Sequence, residues 1–313
     1  MRVFGWSEAV DALEFSSLIE ALRQAFRSAD TTAPPPHRYT IPASADASGT
    51  LQLSPAWRIG DRIGVKVTAA FGATRGGPGG EGAYALLDAR NGKPLAVFDA
   101  AALTARCTAA VSALAASYLA RPDSERLLLI GSGALASHLL AAHASVRPIR
   151  NVLVWDRDSD KAERLAHRLT RRTLKVAATD DLQRAVNGAH IVCCIAADAA
   201  PILNGHWLPL GVHLDLVGGA TPALRQADDE TLHRARVFVD TREAALAEAG
   251  DLAQPIRAGV FNPDDVAGDL FDLTRGTRAG RRFHDQVTLF KSVGHALADL
   301  AAAKQGLENA LAP

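Results

Sequence analysis

The stretch Leu127-Leu128-Leu129-Ile130-Gly131-Ser132-Gly133-Ala134-Leu135-Ala136 joins an apolar run to a helical pattern through a GxGxxA turn. Each small residue has a physical reason to be there. Gly131 permits the tight turn, Gly133 lets backbone approach a pyrophosphate, and Ala136 lets helix pack closely on strand. The helix start then offers N–H groups and a positive dipole end to phosphate. The next apolar run, Val152 to Trp155, ends in Asp156, close to where an acid would hydrogen-bond ribose hydroxyls. The spacing predicts a dinucleotide site built from Gly131, Ser132, Gly133, Ala134, Leu135 and Asp156. NAD is favoured, because a carboxylate repels a 2′-phosphate. Arg157 beside it could instead hold that phosphate and admit NADP, or be a solvated loop residue. The blander reading of the whole motif is a Rossmann-shaped domain without cofactor.

Other reactive side chains carry weaker signals. Lys66 stands in the apolar strand Ile63-Gly64-Val65-Lys66-Val67, an unusual setting for a solvated lysine, although an outward strand position explains it equally. Cys107 near a helix start could be activated there, but no His/Asp pattern accompanies it, so a small core residue is the simpler reading. Asp215 could serve as a reactive acid, but a buried, hydrogen-bonded strand carboxylate is the simpler reading. His206, His213, His284 and His295 are isolated. Cys193 and Cys194 are adjacent and match no metal-ligand spacing, so no metal site is expected. Asp264, Asp265 and Asp269 are too sparse for a calcium loop.

The elements around these residues fall into two patterns. Leu18, Ile19, Leu22 and Phe26 repeat at helical spacing, with Ser17 and Glu20 as a capping box, and Pro34-Pro35-Pro36 stops the helix. Short strands follow at Arg38 to Ile41, Leu51 to Leu53, Ile63 to Val67, Ala83 to Leu87 and Leu95 to Phe98. Gly76 to Gly80 is a loop, and Asn91-Gly92 reads as a hairpin turn with both residues at positive φ. An Ala-rich helix runs from about Leu103 to Ala120. Pro122-Asp123 then looks like a domain joint. Strands and helices alternate from Leu127 onward, which implies a parallel sheet with helices on both faces. A C-terminal helix occupies about Val293 to Leu311.

Composition sets the class. The chain has 313 residues, 34 basic and 34 acidic side chains, and 48% hydrophobic residues. That is an ordinary globular composition, long enough for two domains. Zero formal net charge argues against nucleic-acid or membrane-surface partners. Three cysteines cannot form a disulfide framework, and Glu8 interrupts the start before any apolar leader develops. A cytoplasmic location is therefore expected.

The sequence resembles the ornithine cyclodeaminase/mu-crystallin family over nearly its whole length. The resemblance rests on Pro36-His37-Arg38, Gly64-Val65-Lys66-Val67, Leu86 to Ala89 with Gly92 to Leu95, and Leu103 to Ala110. The glycine turn, Asp215 to Pro222, Val239-Asp240 and Phe290 to Gly294 complete it. It implies an α/β fold in which a doubly wound parallel Rossmann sheet is inserted into an α+β substrate-binding and dimerisation domain. Residues 1–118 and 293–313 would form the outer domain, and 119–292 the NAD(P)-binding domain. It also implies catalytic roles for Lys66 and Arg38, with Arg38 on a substrate carboxylate. Thr108, Val217, Gly218 and Ser292 join the cofactor contacts. The expected partners are a small amino or imino acid and a second copy of the chain.

Three positions depart from the family pattern. Cys107 stands where the family has a carboxylate-binding Arg, and Arg106, about 100° around a helix from it, faces elsewhere. Ala220 replaces the Asp that handles proton and water chemistry in the cyclodeaminases, and it cannot act as acid or base. Gly79 replaces a hydroxyl residue. These changes favour NAD(P)H-dependent reduction of a cyclic imino acid or ketimine, or the reverse dehydrogenation, over ornithine cyclodeamination. A non-catalytic dinucleotide and small-ligand binder, as mu-crystallin is in part, is the reading from another class.

Overall fold

The computed structural model describes residues 1–44, 47–71, 81–196, 198–219 and 221–312. The chain divides into two compact units, one of residues 1–111 with 294–313 and one of residues 112–293. The resemblance places the first joint at 118, and Pro122-Asp123 marks the end of the helix. The division instead falls inside that helix, which runs unbroken from Ala100 to Leu119.

The first unit contains β1 (Arg2–Phe4), α1 (Trp6–Ala12), α2 (Phe15–Ser28), β2 (Thr31–Thr32), β3 (His37–Ser44), β4 (Ala47–Arg58), β5 (Arg62–Phe71), β6 (Glu81–Asp88) and β7 (Pro94–Asp99). It also holds the start of α3 (Ala100–Leu119). The sheet order is β1-β7-β6-β5-β4-β2, with β3 paired to β4. Every pairing is antiparallel except β1 with β7. The C-terminal helix returns to this unit and packs across β4, β5 and β6. Residues directly opposite one another share a face, so register sorts the side chains. Ala56, Leu86, Ala96 and Phe98 lie on the helix-covered face and are buried. Leu53, Val65, Val67, Leu87 and Val97 lie on the other, which is apolar yet partly exposed.

Local chemistry shifts three expected details. Helix α2 starts at Phe15, because the Glu14 carboxylate accepts from the Ser17 N–H at 3.1 Å, so Ser17 and Glu20 form no capping box. It stops at Ser28, before the prolines, with Ala29 in the left-handed region at φ 48°. At the hairpin only Gly92 takes positive φ, 73°, while the Asn91 side chain accepts from the Lys93 N–H at 2.9 Å. The glycine-rich loop at 76–80 lies outside the described residues.

The second unit contains β8 (Arg126–Ile130), α4 (Leu135–Val146), β9 (Asn151–Trp155), α5 (Ser159–Leu169), β10 (Lys175–Ala178), α6 (Leu182–Gly188), β11 (Ile191–Cys194) and β12 (His213–Leu216). After these come α7 (Asp229–Arg234), β13 (Arg236–Val239), α8 (Arg242–Glu248), α9 (Gly250–Arg257), β14 (Gly268–Asp269), α10 (Leu270–Arg275) and β15 (Thr288–Lys291). The last helix, α11 (Ala296–Leu311), belongs to the first unit. The sheet is wholly parallel, in the order β10-β9-β8-β11-β12-β15-β13-β14. Central strands of such a sheet are buried on both faces and read as continuous apolar runs. Leu127–Ile130 and Ile191–Cys194 are of that kind, every residue buried. The order runs outward in both directions from β8, so β8 and β11 flank the switch point where ligands bind at the strands' C-terminal ends.

Candidate active site

The glycine turn sits at that switch point. Gly131 adopts φ +104°, and a Cβ there would lie 3.0 Å from the Ala196 backbone nitrogen. Among the described residues nothing lies within 4 Å of where a Cβ on Gly133 would be, which leaves the open approach that a pyrophosphate needs. Helix α4 begins at Leu135 without a side-chain cap; Ala136 N–H donates to the Gly133 carbonyl at 3.0 Å, and no side chain competes with an anion for the helix start. Leu135 itself is buried and can offer only backbone. Asp156 closes the site from the end of β9. One of its oxygens accepts from Ser132 N–H at 2.8 Å and Ser132 Oγ at 2.6 Å, and the other from Asp158 N–H at 3.0 Å. Burial opposes the charged form, but these donors outweigh it and hold the carboxyl below its usual range. Arg157 forms an ion pair with Asp198. Val217 and Gly218 follow β12, where both N–H groups bond the Cys194 carbonyl, and Ser292 follows β15. The expected contacts in this unit thus line the C-terminal edge of one parallel sheet. Thr108 lies on α3 in the first unit, half-buried. The uncapped helix start, the open glycine and the oriented carboxylate fit a dinucleotide.

In the first unit Lys66 points to the helix-covered face of the sheet, not outward. Its Nζ lies 2.7 Å from Asp299 Oδ2, with the two side chains 15% and 8% exposed. Asp299 is in the first turn of α11, where the helix dipole also favours a carboxylate. Burial alone would push the ammonium down, but Asp299 outweighs it and holds Lys66 above the ordinary lysine range. Cys107 borders the pair. Burial and then the Asp299 charge push its thiol well above the usual value, which makes it a neutral thiol. Arg38 stands on β3, exposed, and donates through Nε to Gln52 Oε1 at 2.9 Å.

The match with known proteins covers both units. The ornithine cyclodeaminase/mu-crystallin family matches residues 4–313. The chain belongs to that family. It is 36% identical over 312 residues to the Δ1-pyrroline-2-carboxylate reductase of Paracoccus denitrificans, covering 96% of this chain and 95% of that one. Its fold superimposes on the Δ1-pyrroline-2-carboxylate reductase of Thermococcus litoralis, solved with NADH and L-proline, with TM-score 0.90. That match has 28% identity and covers 99% and 98% of the two chains. An archaeal alanine dehydrogenase dimer with bound NAD gives TM-score 0.89 at 26% identity, covering 99% of this chain and 96% of that one.

Against the family pattern, the position of Cys107 matters most. Arg106 does not stand in for the missing arginine. Its guanidinium bonds the Leu13 carbonyl, with Nε at 2.8 Å, and lies 3.5 Å from the centroid of the Phe15 ring. Ala220 and Gly79, the other two departures, lie outside the described residues.

The core of this family member also gathers residues that no linear spacing announced. Asp215 is fully buried on β12, where it accepts from Ser112 Oγ at 3.1 Å and meets His143 Nε2 at 3.1 Å. Cys193 Sγ lies 3.1 Å from that ring nitrogen and 3.4 Å from the carboxylate. The three donor atoms fall within 4.8 Å of one another, a set of types that zinc uses. Here they bond one another inside the core, while the buried Nδ1 of His143 has no hydrogen-bond partner among the described residues. His213, two residues before Asp215 on the same buried strand, is bonded to Thr288 Oγ1 at 3.0 Å, and His206 and His284 are exposed.

Proposed function

We propose that this protein reduces the C=N bond of a cyclic imino acid with NADH. The observation that carries the reading is Lys66: a buried ammonium, held charged by Asp299, in a family chain whose second unit retains the whole dinucleotide turn. When bound, the nicotinamide supplies a hydride to the imine carbon. The nitrogen must gain a proton, and the overall change is imine plus NADH plus a proton giving amine and NAD⁺. Lys66 can deliver that proton or polarise the C=N bond, and Arg38 can hold the carboxylate. Ala220 offers no side-chain acid or base for water attack, which counts against cyclodeamination.

The reading includes a homodimer formed through the apolar outer face of the first sheet. Support comes from Val3, Tyr39 and Val67, exposed on that face. Supporting a cytoplasmic setting, the three cysteines are all free.

Purified protein should consume NADH with pyrroline-2-carboxylate or piperideine-2-carboxylate. Conversion of ornithine to proline with release of ammonia would replace this reading by cyclodeamination. Tight NADH binding with no turnover across a panel of imino and keto acids with amines would replace it by ligand binding alone.

A further inference from the structure

Two neighbouring cross-strand rows on the helix-covered face of the first sheet bring polar side chains together. Arg38, Gln52 and Thr68 stand opposite one another on β3, β4 and β5. Ser54, Lys66 and Tyr84 stand opposite one another on β4, β5 and β6. The next row inward is Ala56, Gly64 and Leu86, all buried. The next row outward, Thr40, Thr50 and Ala70, is exposed. The polar rows therefore sit where the face passes from solvent to core.

Their hydrogen bonds leave a defined remainder. Gln52 Oε1 accepts from Arg38, and Gln52 Nε2 donates to Ser54 Oγ at 3.1 Å. An amide has two N–H donors and a hydroxyl has one O–H. So among the described residues one Gln52 N–H and the Ser54 O–H take no further partner. Ser54 is 8% exposed and Thr68 7%, so water has little access to either. A plain hydrocarbon ring laid against this strip would leave those donors unpaired. A substrate hydroxyl, both acceptor and donor, would pair with them. A second carboxylate has no such support. Lys66 is matched by Asp299, Cys107 is a neutral thiol, and Arg106 is committed to Leu13 and Phe15.

We propose that Gln52 and Ser54 select a cyclic imino acid that carries a ring hydroxyl in addition to a single carboxylate. This rests on the imino-acid reductase reading and narrows its substrate class. A site built to hydrogen-bond a hydroxyl discriminates strongly against the analogue that lacks it.

The test uses the imines generated in situ from proline and from 3- and 4-hydroxyproline by an amino-acid oxidase, with NADH oxidation as the readout. The wild-type protein should reduce one hydroxylated imine with kcat/KM at least about tenfold above the unsubstituted one. Gln52→Leu and Ser54→Ala should each bring that ratio towards one. Because the ratio is taken on one sample, a loss of folded protein cancels. Equal efficiency on all three imines overturns the proposal and leaves the reductase reading standing. So does a ratio that survives Gln52→Leu unchanged, which would make Gln52 only a positioning residue for Arg38. Failure to reduce any of the imines overturns the reductase reading and this proposal with it.

Discussion

Lys66 Nζ lies 2.7 Å from Asp299 Oδ2, an ion pair between the middle of β5 and the first turn of α11. The pair fixes both where the ammonium sits and that it stays charged. Lys66→Ala should lower kcat/KM by about 10²–10⁴, the range that a positioned acid contributes. Asp299→Asn removes the opposite charge and leaves burial as the dominant influence, so the lysine should titrate lower. In the wild type, activity should persist to alkaline pH, because Lys66 loses its proton only above the ordinary lysine range. In Asp299→Asn the alkaline limb of the kcat/KM profile should move to lower pH. An unshifted limb with lower activity at every pH would show that Asp299 acts on packing alone.

Asp156 ends β9, where the spacing expects a ribose-binding acid, with one oxygen already bound to Ser132, and Arg157 is paired with Asp198. The fixed negative charge should exclude a 2′-phosphate. NADH should therefore exceed NADPH in kcat/KM by about tenfold or more, one tenfold being about 1.4 kcal/mol. Asp156→Ala should narrow the ratio, chiefly through a lower KM for NADPH. Steady-state kinetics with both cofactors checks this, and an unchanged ratio would place discrimination elsewhere.

Much of this was legible because the signals are local. An apolar run, two glycines at the right spacing and a following acid specify strand, turn and helix together, and Gly131 to Asp156 lie as the spacing required. Alternating strands and helices likewise announced the parallel sheet. What was hidden depends on distant partners. Lys66 inside an apolar strand allowed two orientations, and only Asp299, from the far end of the chain, decides between them. Asp215 was read as a buried strand acid, but His143 and Cys193, its partners, come from a helix and a strand that no spacing rule connects. The short helices α7 to α10 lack enough turns to display a period. The capping box failed because Glu14 reached the helix start first.

Cys107, Cys193 and Cys194 are buried, and burial raises all three thiols, Cys194 to about 12. The thiolate is the reacting form. Native protein at neutral pH should therefore leave a disulfide reagent such as DTNB unreacted, and all three thiols should react in denaturant. Rapid native labelling of Cys107, mapped by mass spectrometry, would reveal an opening of the site beside Lys66. Cys193→Ala should cost about 1–3 kcal/mol in urea unfolding, since Asp215 and His143 lose a buried partner.

Lys291 ends β15 fully buried, with its Nζ 3.1 Å from Asp251 Oδ2 and bonded to the carbonyl of Gly218 and to Gln226 Oε1. Asp251 in turn accepts through Oδ1 from the N–H groups of Gln226 and Ala227, at 2.6 and 3.0 Å. The buried pair therefore fastens the segment after β12, where Gly218 lies on the expected cofactor edge, to the loop at Gln226. Lys291→Met strands the Asp251 charge in the core, and breaking such a pair costs about 3–5 kcal/mol. The urea midpoint should fall accordingly, and NADH affinity, read by fluorescence on the protein that remains folded, should weaken as Gly218 loses its anchor. Adding Asp251→Asn removes the stranded charge while keeping an oxygen for the two N–H groups. The double variant should therefore be more stable than Lys291→Met alone. If it is instead less stable by the sum of the two single losses, the ammonium and the carboxylate are not energetically coupled.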